Sequence, residues 1–173
     1  MFAVENGLQG DPRLKAISDA IRVIPHFPKP AFKDTVDIFV DRYRDMAISI
    51  VAGVEARGFV FGPSIALAIG AKFIPLRKPN KLPGKVIYEE YELEYGNDCL
   101  EIDVGGVGDG ERAIVIDDLV ATGGTLSASI TLLERLGAHV VECACVIGFP
   151  HFKGQSSLNG KPLYILVEPQ NTN

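Results

Sequence analysis

The chain has 173 residues, 47% of them hydrophobic and 23% charged, with a formal net charge of −5 at pH 7. That length suits one domain, 1–173, with a sizeable buried core, and the composition suits a globular protein in water. The negative balance argues against general nucleic-acid binding, no apolar run reaches membrane-spanning length, and residues 1–5 lack a signal-peptide pattern.

Asp11 followed by Pro12 marks a helix start, and Leu14, Ile17, Ile21 and Ile24 follow at helical spacing. Pro25, Pro28 and Pro30 make residues 24–30 a loop. A second helix carries Phe32, Val36, Phe39, Val40 and Tyr43 on one apolar stripe, which reads as core. Residues 48–53 are a strand, and Glu55, Ala56, Arg57 and Gly58 stand at its carboxyl end, where an open α/β sheet binds ligands. A helix over 63–69 ended by Gly70 and a strand over 72–76 come next.

Residues 77–85 hold Arg77, Lys78, Lys81 and Lys85 with Pro79, Pro83 and Gly84, the composition of an exposed loop that attracts polyanions. Residues 86–96 read as an extended arm with which 99–103 can pair. The apolar run 113–116 is a buried strand, closed by Asp117 and Asp118 and followed by Leu119, Val120, Ala121, Thr122, Gly123 and Gly124. Thr125 caps a helix over 126–136, so strand, loop and helix N-terminus form an anion cradle. Two adjacent carboxylates beside a phosphate site suit the hydroxyls of a sugar, or a metal that the ligand brings, and the natural guest is a phosphorylated sugar. Strands over 139–147 and 163–167 complete the chain.

Alternating strands and helices, with the charged and glycine-rich turns after strands, give a mostly parallel sheet with helices on both faces. GxGxxG and Walker A patterns are both absent. Cys143 and Cys145 share one face of a strand and belong to the core, and Cys99 leaves the count odd, unlike a disulfide framework. His26, His139 and His151 have no metal-ligand spacing, and the expected setting is cytoplasmic, without a structural metal.

The stretch 116–125 resembles the phosphoribosyl-pyrophosphate (PRPP) motif of type I phosphoribosyltransferases, and its wording is similar to that of adenine phosphoribosyltransferases, the plant forms in particular. The ending Leu93, Glu94, Tyr95, Gly96 resembles the catalytic hood loop of the same family. The resemblance implies transfer of the phosphoribosyl group of PRPP to adenine, giving AMP and pyrophosphate in purine salvage, with Mg²⁺ brought by PRPP. It assigns the 5′-phosphate to Ala121, Thr122, Gly123, Gly124 and Thr125. Pyrophosphate goes to Glu55, Ala56, Arg57, Arg77, Lys78 and Lys81, with a cis peptide bond at Glu55–Ala56. Catalysis goes to Asp117, Asp118 and Glu94, the last managing the proton of adenine. Leu82, Pro83, Gly84 and Tyr95 belong to a flexible lid, hood elements come from about 1–30 and the C-terminal segment, and the assembly is a homodimer that needs no nucleic acid or membrane.

One segment departs from the family. After Pro30 its members continue with a glycine and an apolar stretch that contacts adenine, whereas here Ala31, Phe32 and Lys33 follow directly, roughly a dozen residues early. Two further readings therefore stand beside the first: a low-activity or non-catalytic PRPP-binding variant, and a transferase with altered base choice, such as cytokinin bases.

Overall fold

The computed structural model describes residues 29–93, 96–148 and 158–168. Almost all of these lie in the compact unit Phe32–Asn173, the larger of two into which the chain divides. The expected helix after Asp11 lies outside the described residues.

Helix α1 spans Lys29–Tyr43 and so takes in Pro30, which the sequence reading left in the preceding loop. A proline in the first helical turn lacks only an N–H that has no partner there in any case. Strand β1, Ile50–Val54, begins two residues later than expected. Helix α2, Gly58–Ile69, begins five residues earlier, with Pro63 inside it and Gly70 closing it in the left-handed conformation. Strand β2, Lys72–Leu76, falls as expected.

Strands β3, Val86–Leu93, and β4, Gly96–Asp103, form an antiparallel hairpin as a separate two-stranded sheet. Strand β5, Arg112–Val120, does not stop at its carboxylates, because pairing with the next strand continues through Asp117, Leu119 and Val120. Backbone pairing is indifferent to side-chain charge when those side chains meet a cavity. Helix α3, Gly124–Arg135, starts with Gly123 at φ 86° in the N-cap position, so Thr125 is already inside the helix rather than its cap. Strands β6, His139–Gly148, and β7, Leu163–Val167, complete the main sheet.

The main sheet has the order β2-β1-β5-β6-β7 and is parallel throughout. Side chains alternate between its faces. Ile50, Ala52, Ala113, Val115, Cys143 and Cys145 pack with Leu126, Ile130 and Leu133 of α3 and with Leu100 and Ile102 of the hairpin. Val51, Ile114, Ile116 and Ala144 pack with Phe39 and Tyr43 of α1 and Ile65 of α2. Both faces are covered, which is the condition for a buried parallel sheet.

A charged side chain on β6 enters this core. Glu142 on β6 is 5% exposed and accepts hydrogen bonds from Arg42 Nε at 2.6 Å, Arg42 Nη2 at 2.7 Å and the Tyr43 hydroxyl at 2.7 Å. The Arg42 guanidinium also lies 4.1 Å from the ring centre of Tyr164. A buried carboxylate is tolerable when fully bonded, and this one fixes α1 on the sheet.

Candidate functional site

The strand order creates the site. From β1 the chain leaves into α2 on one face, and from the adjacent β5 it leaves into α3 on the other. Where neighbouring exits diverge, the carboxyl ends of the strands leave a crevice. A cavity of about 410 Å³ opens there, lined from β1 by Glu55, Ala56 and Arg57 and from β5 by Asp117 and Asp118.

Gly58 closes the first wall. A Cβ on it would come 2.6 Å from the Ile116 carbonyl oxygen, which is backbone and cannot swing aside, so only glycine lets α2 start this close to β5. The Glu55–Ala56 peptide bond just before it is cis, as the resemblance implied.

Asp117 is 8% exposed and Asp118 half-buried. The backbone N–H of Asp118 donates to Asp117 Oδ1 at 2.8 Å. Burial pushes the Asp117 carboxyl well above the usual carboxylate range, and the Asp118 amide only partly offsets it. Asp118 instead meets a cation, with Arg57 Nε 2.5 Å from its Oδ2. The pair therefore offers one acid that resists ionising and one carboxylate matched to a guanidinium. Both suit sugar hydroxyls, and the first can also donate a proton.

Past the acids, Ala121, Thr122, Gly123 and Thr125 line the same cavity at the N-terminus of α3. The first-turn amides of a helix lack internal partners and attract anions. Gly124 faces a neighbouring groove, and its N–H lies 3.5 Å from Thr122 Oγ1. A Cβ on Gly124 would sit 2.7 Å from the Glu92 carbonyl oxygen, so α3 and the hairpin meet at a distance only glycine permits.

The basic loop splits in two. Lys78 reaches into the cavity, whereas Arg77 and Lys81 are not part of its lining. They hold Glu55, with Arg77 Nε 3.2 Å and Lys81 Nζ 2.5 Å from its carboxylate, while the Lys78 backbone N–H donates to it at 2.9 Å. Burial alone would raise Glu55, but Lys81, the Lys78 amide and Arg77 outweigh it and bring the group down to about 2. Leu82, Pro83 and Gly84 lie in the same β2–β3 connection. Glu94 and Tyr95 fall outside the described residues.

The sequence reading missed two polar lining residues, Tyr91 and Asp98. They are direct partners across the hairpin, so pairing the arm residue by residue brings them to one face. Among the described residues no group of three or more His, Cys, Asp or Glu side chains is arranged to hold a metal ion. None of their helices is long and apolar enough to cross a membrane.

Known proteins share this architecture. A family model described as "Phosphoribosyl transferase domain" matches residues 29–162. The chain is 74% identical to adenine phosphoribosyltransferase 2 of Arabidopsis thaliana over 184 positions, covering 98% of this chain and 96% of that one. Because the chain has only 173 residues, at least eleven positions of that match have no counterpart here, from 184 less 173. Identity to adenine phosphoribosyltransferase 1 of Triticum aestivum is 54%, over 93% of this chain and 97% of the relative. Among solved structures, adenine phosphoribosyltransferase of Thermoanaerobacter pseudethanolicus is similar with a TM-score of 0.77 and 36% identity, covering 90% of this chain and 99% of that one. The Saccharomyces cerevisiae enzyme, complexed with an imino-altritol bisphosphate and adenine, gives a TM-score of 0.75 at 34% identity, over 88% and 97% of the two chains.

Proposed function

The chain belongs to the phosphoribosyl transferase family, and from that premise we propose that it is an adenine phosphoribosyltransferase, converting adenine and PRPP to AMP and pyrophosphate. One observation carries the reading: the carboxylate pair, the α3 N-terminal loop and Arg57 converge on a single cavity at the divergence of β1 and β5. A phosphorylated sugar with a polyanionic leaving group needs those three chemistries side by side.

In the reaction a nitrogen of adenine bonds to the anomeric carbon of ribose as the bond to pyrophosphate breaks. Positive charge develops on the ring and negative charge on the leaving group. Asp117 and Asp118 accept from the ribose hydroxyls and face the developing cation. Ala121, Thr122, Gly123, Gly124 and Thr125 hold the 5′-phosphate, and Glu55, Ala56, Arg57 and Lys78 border the leaving group. Arg77 and Lys81 support that side through Glu55. Magnesium enters as part of the substrate, bound to PRPP, and neutralises the departing pyrophosphate. By resemblance, Glu94 takes the proton of adenine, and Leu82, Pro83, Gly84 and Tyr95 move with the lid.

The non-catalytic alternative is not favoured, given the likeness to adenine phosphoribosyltransferases along nearly their whole length. A homodimer is supported by α2, which has no charged residue and exposes Val60 at 51% and Leu67 at 85%, seven residues apart on one face. Three free cysteines support a reducing compartment, in the first place the cytoplasm. Turnover of adenine with PRPP and Mg²⁺, followed by appearance of AMP, tests the proposal; formation of a different nucleotide from a panel of bases would replace adenine in it.

A further inference from the structure

Lys78 is the cavity's own ammonium group, and it is not free. Its Nζ donates to the Tyr91 hydroxyl at 2.9 Å and pairs with Asp98 Oδ2, while the Tyr91 hydroxyl lies 3.2 Å from the same oxygen. The Tyr91 ring centre is 5.4 Å from Nζ. Tyr91 and Asp98 face each other across the hairpin, so the tie joins the β2–β3 loop to a different element of the fold. All three residues line the cavity that holds Asp117 and Asp118. Burial works against the charge on Lys78, but Asp98 and Tyr91 outweigh it; Asp98 is likewise held low by Lys78. Both groups are charged at neutral pH.

A polyphosphate in this cavity meets Lys78 already engaged by a carboxylate, and that carboxylate has the charge sign of the phosphate. We propose that Asp98 is an affinity-setting counter-ion that competes with the pyrophosphate group for Lys78, while the Tyr91 hydroxyl keeps the ammonium in the cavity during the exchange. The inference rests on the assignment of the leaving-group side of the cavity made above. Its physical basis is a difference of affinities. A competitor built into the protein lowers the net gain when phosphate takes the ammonium, and so eases release of pyrophosphate after transfer. Tyr91 differs from Asp98 in being neutral. Its oxygen accepts from Lys78 without repelling the ligand, so it serves as a positioning residue.

The test is calorimetric titration of magnesium pyrophosphate into wild-type protein, Asp98→Asn, Tyr91→Phe, Lys78→Met and the double variant Lys78→Met/Asp98→Asn. Thermal melting checks each fold, and Asp98→Ser supplies the same charge change should the asparagine variant not fold. Asp98→Asn should tighten binding about two- to fivefold, the scale of a partly exposed ion pair. Tyr91→Phe should weaken it by a similar factor, and the effect of Asp98→Asn should vanish once Lys78 is methionine. Unchanged or weaker binding in Asp98→Asn overturns the proposal, and so does tightening that persists without Lys78, which is diffuse repulsion. Wild-type protein that does not bind magnesium pyrophosphate overturns the reading of the site itself. Binding that Lys78→Met leaves intact overturns only the role given to Lys78.

Discussion

Arg57 Nε lies 2.5 Å from Asp118 Oδ2, joining the loop after β1 to the end of β5 across the mouth of the cavity. On the assignment proposed above, the contact sets a pyrophosphate-side cation against a ribose-side carboxylate. Charges of opposite sign would then stand where the breaking bond separates opposite charges.

Replacing Asp118 by asparagine should therefore remove transfer and keep the fold. The lost charge faces the cavity, and the isosteric amide leaves no void in the core. A fall in kcat/KM of at least about tenfold is expected, corresponding to about 1.4 kcal/mol of transition-state stabilisation. Steady-state kinetics and a melting curve check it. A variant with wild-type kcat/KM contradicts the role.

Gly58→Ala should be destabilising because its Cβ would meet the Ile116 carbonyl at 2.6 Å, and neither backbone can yield without moving α2 or β5. The expected loss is about 1–3 kcal/mol by denaturant unfolding, the usual scale of overpacking. Magnesium pyrophosphate binding should weaken as well, since Arg57 immediately precedes the displaced residue.

Acid should unlock the β2–β3 loop. Glu55 sits at about 2 in the fold against an ordinary value of 4.5. Its contribution to stability is fully present above about pH 4.5 and is lost as pH falls toward 2. Unfolding curves of wild type and Glu55→Gln should differ by a constant amount above about pH 5, draw together as pH falls, and converge below about pH 2. Asp117 has the opposite sign. Its carboxyl is raised by burial, so ionising it costs stability as pH rises past the ordinary aspartate value, and Asp117→Asn should flatten that decline.

Arg42→Met should destabilise by about 3–5 kcal/mol, because it leaves Glu142 buried with the Tyr43 hydroxyl as its remaining side-chain partner among the described residues. Adding Glu142→Leu removes the stranded charge and should recover much of the loss. Equal stability of the two variants in urea titrations contradicts the account.

The segment missing after Pro30 is expected to act on adenine rather than on PRPP. The residues proposed for PRPP are all present, whereas the segment to which the resemblance assigns contacts with the base is expected between Pro30 and Ala31, which here adjoin. Several lost polar contacts, each worth about 0.5–1.5 kcal/mol, reduce kcat/KM for adenine by orders of magnitude if nothing replaces them. Comparing this chain with one carrying the family segment inserted after Pro30 tests it, by PRPP binding and adenine turnover. Equal adenine efficiency in the two sinks the idea.

Much of this was readable in the amino-acid sequence, because strand runs and their exits are local signals. Residues 72–76 and 163–167 were bounded correctly from hydrophobicity and turns. The ends of β5 and α3 were not. There, parallel pairing carried the strand past Asp117, and a left-handed Gly123 started the helix before Thr125. Arg77, Lys78 and Lys81 look equivalent in a row of cations. Only the fold separates them, because Glu55 claims two and leaves Lys78 to the cavity. Tyr91 and Asp98 were invisible for a related reason: their significance lies in a cross-strand register, and no single stretch of chain spells that out.

The 100 residues that separate Arg42 from Glu142 have a consequence for how the protein is made. At about 5–20 residues per second, a ribosome finishes α1 roughly 5–20 s before it reaches Glu142 on β6. Phe39 must wait longer still for Tyr164, whose ring meets it edge-on at 6.0 Å. Over that interval the earliest described helix has neither its ionic anchor nor its last aromatic neighbour. A chain stalled before β6 thus presents Phe39 and Tyr43 with an incomplete sheet to cover them.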